Sequence, residues 1–341
     1  MNHSWTISEP AGCFRAVAKF AALLALAFPL FTVSASAFGA DWQAAVGAQS
    51  QDKGHQVVAF LPNELWIHAG DSVQWTVNVD EIHTITFLKD GQVRLPFALG
   101  CTGNPQNPGY SFVAAVVDGS TCVSTPPMTS GQTFTVTFPS QGNFKLVCLV
   151  HQDMTGVVHV LDPAAPLPHD QSFYDQEAAD EAQALLVELD QGSAHQHSGP
   201  NSIAVGGGET LAKGGGHNTI SLMRFVQPEL TIHAGGTVEW TNGDPSLPHT
   251  ITFGTEPGNP IPPSANVSFD TDGALHATIN STSDSVHSGF IVSAPQDQVF
   301  RQQTPLGSTR FRVTFTNPGV YPYICALHDT LGMKGTIVVL P

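Results

Sequence analysis

The sequence predicts an all-β protein of two similar domains, each a sandwich or barrel of short strands. Three observations carry that prediction. Only 12% of the 341 residues are charged, while 32 Gly and 25 Pro make up about a sixth of the chain. That composition suits strands joined by turns and argues against a helical bundle. Blocks of sequence recur in one order: LPNELWIHAGDSVQWT (61–76) returns as VQPELTIHAGGTVEWT (226–241), and FTVTFPSQGNFKLVC (134–148) as FRVTFTNPGVYPYIC (311–325). Such self-similarity means one fold used twice. Within the blocks Phe134, Val136, Phe138 and Phe311, Val313, Phe315 alternate with polar residues, the period of a half-buried strand.

The elements follow in order along the chain. Arg15 and Lys19 precede the apolar run Phe20 to Val33, and Ala35-Ser36-Ala37 supplies small residues for a signal peptidase. This layout predicts a secretory signal over 1–37, because 14 apolar residues fall short of the ~20 that span a bilayer. Its removal takes away Glu9, Arg15 and Lys19 and leaves a net charge of −17, so export to a periplasmic or secreted location is expected. The first domain is placed at 50–162 and the second at 217–341, punctuated by turn residues such as Gly70-Asp71 and Asn317-Pro318-Gly319.

Between them, 163–216 changes character. Ala178, Ala182, Leu185, Leu186 and Leu189 recur at helical spacing, which predicts one amphipathic helix in an acidic stretch. Gly206–Gly208 and Gly214–Gly216 then read as a flexible linker, with His195, His197 and His217 exposed on it. A phosphate loop is excluded, since Lys213 is followed by Gly214 rather than Ser or Thr. The absence of any basic block likewise excludes a nucleic-acid footprint.

Each copy ends in a chemically distinctive cluster: Cys148, His151 and Met154 in the first, Cys325, His328 and Met333 in the second. Each also has an upstream histidine, His83 or His249, on a repeated His-Thr-Ile-Thr-Phe segment. Two imidazoles, a thiolate and a thioether suit copper, the weak thioether marking a blue-copper centre. Structural zinc sites use four Cys or His ligands instead. A Cys at a strand end and a His and Met in the next turn can converge on one ion, with the distant His closing the site from a neighbouring strand.

Over residues 55–161 and 219–340 the chain resembles the cupredoxins, the plastocyanin, pseudoazurin and amicyanin family of Greek-key β-sandwiches. The resemblance implies two type 1 copper ions per chain, held by His83, Cys148, His151 and Met154 and by His249, Cys325, His328 and Met333. The Cys-x2-His-x2-Met loop is similar to the short amicyanin spacing and the Cys-x2-His-x4-Met loop to that of plastocyanin, while Phe144 and Tyr321 take the family's aromatic position before the Cys. His-to-Cys separations of 65 and 76 residues exceed those of small cupredoxins, so each domain carries an insertion. With Cys13 leaving in the signal and Cys148 and Cys325 committed to metal, Cys101 and Cys122 remain in the first insertion and are expected to pair as a disulfide.

The function this implies is exported blue-copper electron transfer, without catalysis. A two-domain nitrite reductase or multicopper oxidase would place a His beside the type 1 Cys, whereas the neighbours here are Val147, Leu149, Ile324 and Ala326. A copper buffer or chaperone would use Met-rich exposed sites, and the chain has five Met. In the family, electrons pass at the edge of the downstream histidine, so His151 and His328 are expected near apolar surface patches that include Leu149, Val150 and Leu327. The acidic charge is expected to steer redox partner proteins with cationic docking surfaces. His68 and His233 recur as Ile-His-Ala-Gly, a pattern that suits an extra metal and, equally, a surface role shared through duplication.

Overall fold

The alternating residues of each repeat form two sheets that close on a common core. The computed structural model describes residues 39–192, 200–293 and 309–341, so the expected signal and His195 and His197 lie outside the described residues. In the first half, one sheet runs in the order Gly208–Lys213, Gly216–Leu222, His55–Leu61, Asp41–Gln49, Ser72–Val77, Thr133–Thr137, Ala115–Val116. The facing sheet runs Glu64–His68, Thr155–Leu161, Gly142–Val147, Thr86–Phe87, Val123–Ser124. Strand Ser72–Val77 buries every second residue, placing Val73, Trp75 and Val77 inward. Trp75 packs tilted against Phe87 of the facing sheet at 5.5 Å, and Phe87 meets Phe138 edge-on at 5.4 Å.

The second half repeats the plan. Its sheets run Phe225–Val226, Ser202–Val205, Thr237–Asn242, Arg310–Phe315, Leu275–Ile279, Ser268–Phe269 and Glu229–His233, Lys334–Leu340, Gly319–Ile324, Thr252–Phe253, Val286–His287. Trp240 takes the place of Trp75 and packs on Phe253 and Tyr323. These are two tandem all-β sandwich domains, with the helix Gln171–Gly192 in the segment between them. Asp170 caps the helix by accepting the Phe173 N–H at 2.9 Å. Leu185 packs into a small core with Val57, Ala59, Leu61, Ile220 and Leu222, and the Tyr174 hydroxyl bonds both the N–H and the carbonyl of Trp66.

The Gly-rich stretch expected to be a flexible linker is folded. Ser202–Val205 pairs in parallel with Thr237–Asn242, as Asp41–Gln49 pairs with Ser72–Val77 in the first half. Gly208–Lys213 and Gly216–Leu222 form a hairpin that adds to the first half's sheet through His55–Leu61. It covers an edge that would otherwise present unpaired backbone groups. Its glycines serve turns and close approach, and Lys213 pairs with Glu181 of the helix at 2.6 Å. His217 is exposed, as expected, on the hairpin's second strand. Asp41–Gln49 also begins before residue 50, so the sheets start earlier than the sequence blocks.

The repeated histidines have a local structural explanation. His68 Nε2 meets the Ala165 carbonyl and His233 Nδ1 the Pro341 carbonyl, each at 2.8 Å, where the chain leaves the last strand of its half.

Candidate metal centres

Each centre is assembled at one end of its sandwich. In the first half His83 bridges to Met128 on the insertion, while Cys148 directly follows strand Gly142–Val147. The loop after Cys148 folds back so that the Cys148 N–H donates to the Met154 carbonyl at 3.0 Å. In the second half His249 bridges to Ile291, and the Cys325 N–H donates to the Met333 carbonyl at 3.1 Å. This loop, longer by two residues, holds a 3-10 turn, Asp329–Leu331, closed by Gly332 at φ 94°.

The donor atoms converge closely. His83 Nδ1 and His151 Nδ1 are 3.0 Å apart, and Cys148 Sγ lies 3.9 and 3.5 Å from them. The second triangle measures 3.0, 3.8 and 3.4 Å for His249, His328 and Cys325. All six residues are buried, and Met154 and Met333 are fully buried with them. Two imidazole nitrogens aimed at each other beside a sulfur leave space for a shared cation, and the soft sulfur with two imidazoles is the donor set that copper prefers. Among the described residues these are the two groups of His, Cys, Asp or Glu placed to hold a metal ion.

Burial opposes ionisation of both thiols, but the paired histidines outweigh it, and Cys148 and Cys325 sit well below the usual thiol range. The same pairing overcomes burial to push His151 up to about 9 and His328 up to about 10. In the metal-free cage each pairing favours thiolate beside imidazolium. His151 and His328 would give up a proton and the cysteines would offer an ionised sulfur to a metal held there.

Sequence reasoning missed several residues around the cages. Thr84 and Thr250 direct their N–H groups at the cysteine sulfurs at 3.3 and 3.4 Å, and their hydroxyls accept the Leu149 and Ala326 N–H groups at 2.7 Å. The signal was present, since a threonine follows the upstream histidine in both copies. Arg94, on the first insertion, donates to the carbonyls of His151 and Gln152 and braces the ligand loop. That insertion carries the Cys101–Cys122 disulfide and the stacked Phe97 and Tyr110 rings. In the second half Asp244 places Oδ2 3.4 Å from His249 Nε2, while its Oδ1 accepts from Ser221, Ser246 and Leu247. Gly206 lies against this ring at φ 65°, where a Cβ would stand 2.4 Å from His249 Nε2.

The downstream histidines are buried, and His328 lines an apolar cavity with Val150 and Leu327. His151 and His328 are 0% and 3% exposed, Leu149 is buried, and the edges of both rings face Glu81 of the first half. Val150 and Leu327 line one cavity of about 650 Å³ together with Ile82, Phe97 and Leu247. The reason is packing of the halves against each other at their metal-bearing ends. Arg224 spans that junction, donating to the Leu331 carbonyl at 2.6 Å and to the Asp52 carbonyl at 2.7 Å. The buried Glu81 lies there too, Oε1 3.4 Å from His151 Nε2 and Oε2 3.4 Å from His328 Nε2. Burial would raise its carboxyl, but the two histidines outweigh that and hold it well below the usual range.

Comparison with known proteins gives the arrangement a family. The profile of copper binding proteins of the plastocyanin/azurin family matches residues 46–161 and again 210–340. Amicyanin-alpha of Methylorubrum extorquens is 31% identical over 120 residues, 35% of this chain and 67% of that protein. Among solved structures, oxidised plastocyanin from Dryopteris crassirhizoma aligns at 19% identity over 41% of this chain and 99% of that one, with a TM-score of 0.22. A purple cupredoxin from Nitrosopumilus maritimus aligns at 20% identity over 36% of this chain and 100% of that one, with a TM-score of 0.24.

Proposed function

Because the chain belongs, in both halves, to the plastocyanin/azurin family of copper binding proteins, we propose that it is an exported electron carrier with one type 1 copper in each half. His83, Cys148, His151 and Met154 would hold one ion, and His249, Cys325, His328 and Met333 the other. The observation that carries this reading is the duplicated triangle of two Nδ1 atoms and one Sγ, buried and matched in both halves. Bound copper would supply a one-electron couple. The residues around it keep the donors in fixed positions: Thr84 and Thr250 at the sulfurs, Asp244 behind His249, Arg94 on the loop carrying His151. A site that rigid changes little between oxidation states, as a carrier requires.

An enzyme reading is less well supported. The cysteines are followed by Leu149 and Ala326 rather than histidines, and catalysis would call for a metal with an open position. Among the described residues no helix is long and apolar enough to cross a membrane. Export rests on the segment 1–37, and the net charge of −17 left by its removal favours cationic redox partners whose association slows as salt rises.

Copper loading of the mature protein tests the reading. Two type 1 coppers per chain are expected by absorption and EPR, with Cys148→Ser and Cys325→Ser each abolishing one. A type 2 signal accompanied by turnover of nitrite or oxygen would replace the carrier by an enzyme.

A further inference from the structure

In each centre the downstream histidine turns Nδ1 toward the sulfur, so Nε2 lies at the far side of the ring. Both far sides point at the same residue. Glu81, 7% exposed, gives Oε1 to His151 Nε2 and Oε2 to His328 Nε2, each at 3.4 Å, longer than an ordinary hydrogen bond and within ion-pair reach. The carboxylate stands two residues before His83, and Leu247 holds the equivalent position in the second copy. One acid therefore serves two centres. A buried carboxylate is unfavourable without cationic or N–H partners, and here the two rings supply them. Both rings are buried, so this carboxylate is the polar group they share.

Given one copper in each half, on which the inference rests, we propose that Glu81 is a positioning residue common to both centres, and that His151–Glu81–His328 is the path along which they exchange an electron. The carboxylate holds the proton of each ring on Nε2, which leaves each Nδ1 lone pair for the metal. Two rings and one carboxylate then connect the ligand sets, interrupted by two short through-space contacts. In the exchange one centre is oxidised by one electron and the other reduced by one. No covalent bond forms or breaks, and both Nε2 protons stay in place.

The test uses the full mature chain with Glu81→Gln, which keeps shape and removes charge, and Glu81→Leu, which installs the residue of the second copy. In the metal-free protein, nitrogen NMR should show the Nε2 resonances of His151 and His328 both moving in Glu81→Gln, with His83 and His249 little changed. Movement of one ring or of neither overturns the shared role. In the copper-loaded protein, pulse reduction should be followed by concentration-independent redistribution between the two blue bands. In Glu81→Leu that redistribution should slow on the order of 10- to 100-fold with both coppers retained. Equal rates in wild type and variant, or no redistribution in wild type with both coppers bound, overturns the path. Wild-type protein that takes up no copper would sink the carrier reading and the path with it, a result seen before any variant is made.

Discussion

The two centres have donor triangles that agree within 0.1 Å, yet the residues behind those triangles differ. In the first half His83 Nε2 is buried with no hydrogen-bond partner, whereas in the second His249 Nε2 faces the buried Asp244. The first insertion is cross-linked by Cys101–Cys122 and braces its ligand loop through Arg94; the second contains no cysteine before Cys325. What is repeated fixes where the donors sit, and what is not repeated sets how each centre differs in stability and electrostatics.

The largest difference to break is the cross-link. Replacing Cys101 and Cys122 by Ala opens a loop with a sequence separation of 21 residues, and should cost about 3 kcal/mol by chain entropy. Denaturant unfolding should place that loss in the first half, and the blue band that survives Cys148→Ser should be unmoved by it. Equal damage to both centres would show that the insertions are not independent.

Next comes Asp244→Asn. Removing the charge behind His249 should weaken copper affinity of the second centre on the order of 10- to 100-fold and shift its potential, as loss of a group supporting a ligand histidine does. Separate redox titrations of the two blue bands would detect a change in one and none in the other. A shift of the first centre would mean that Asp244 acts through the junction instead.

Thr84→Val and Thr250→Val should have smaller and matching effects, about 1 kcal/mol each for the lost hydroxyl contact to the Leu149 or Ala326 N–H. Thermal unfolding of the two variants sharpens the comparison, because these threonines belong to the repeated part. The subtlest expectation concerns protons in the metal-free protein. Burial lowers the pKa of His83, while in His249 the Asp244 and Cys325 contacts outweigh burial and raise it. As pH falls, His249 should therefore protonate before His83 in an NMR titration. The His249 proton favours folding below the ordinary histidine range, and that contribution fades as pH rises through its raised value. His83 has the opposite sign, since in acid it must give up a proton to fold.

Much of this was legible in the sequence where spacing along one strand or loop decides the outcome. Cys148, His151 and Cys325, His328 are separated by a single turn, and the upstream histidines are marked by the strand that repeats around them. Glu81 was not legible, because its partners lie on different domains and only their packing makes one acid meet two rings. Asp244 was hidden for a related reason: its copy-one counterpart is Asn78, so the repeat that revealed the ligands conceals it. Ser202–Val205 is too short, at four residues, to signal a strand, and Gly206–Gly208 reads as flexibility until the ring of His249 is seen against Gly206.

The hairpin Gly208–Lys213 and Gly216–Leu222 separates the unit of duplication from the unit of folding. It lies at the start of the second copy yet completes a sheet of the first, and its Ser221 supports Asp244 of the second centre. Neither half excised at the repeat boundary would therefore carry all of its own architecture. A gene fragment ending near residue 200 would leave the edge of His55–Leu61 bare, and one beginning near 224 would lack the strand Ser202–Val205. The two copies are bound into one object by the hairpin they share.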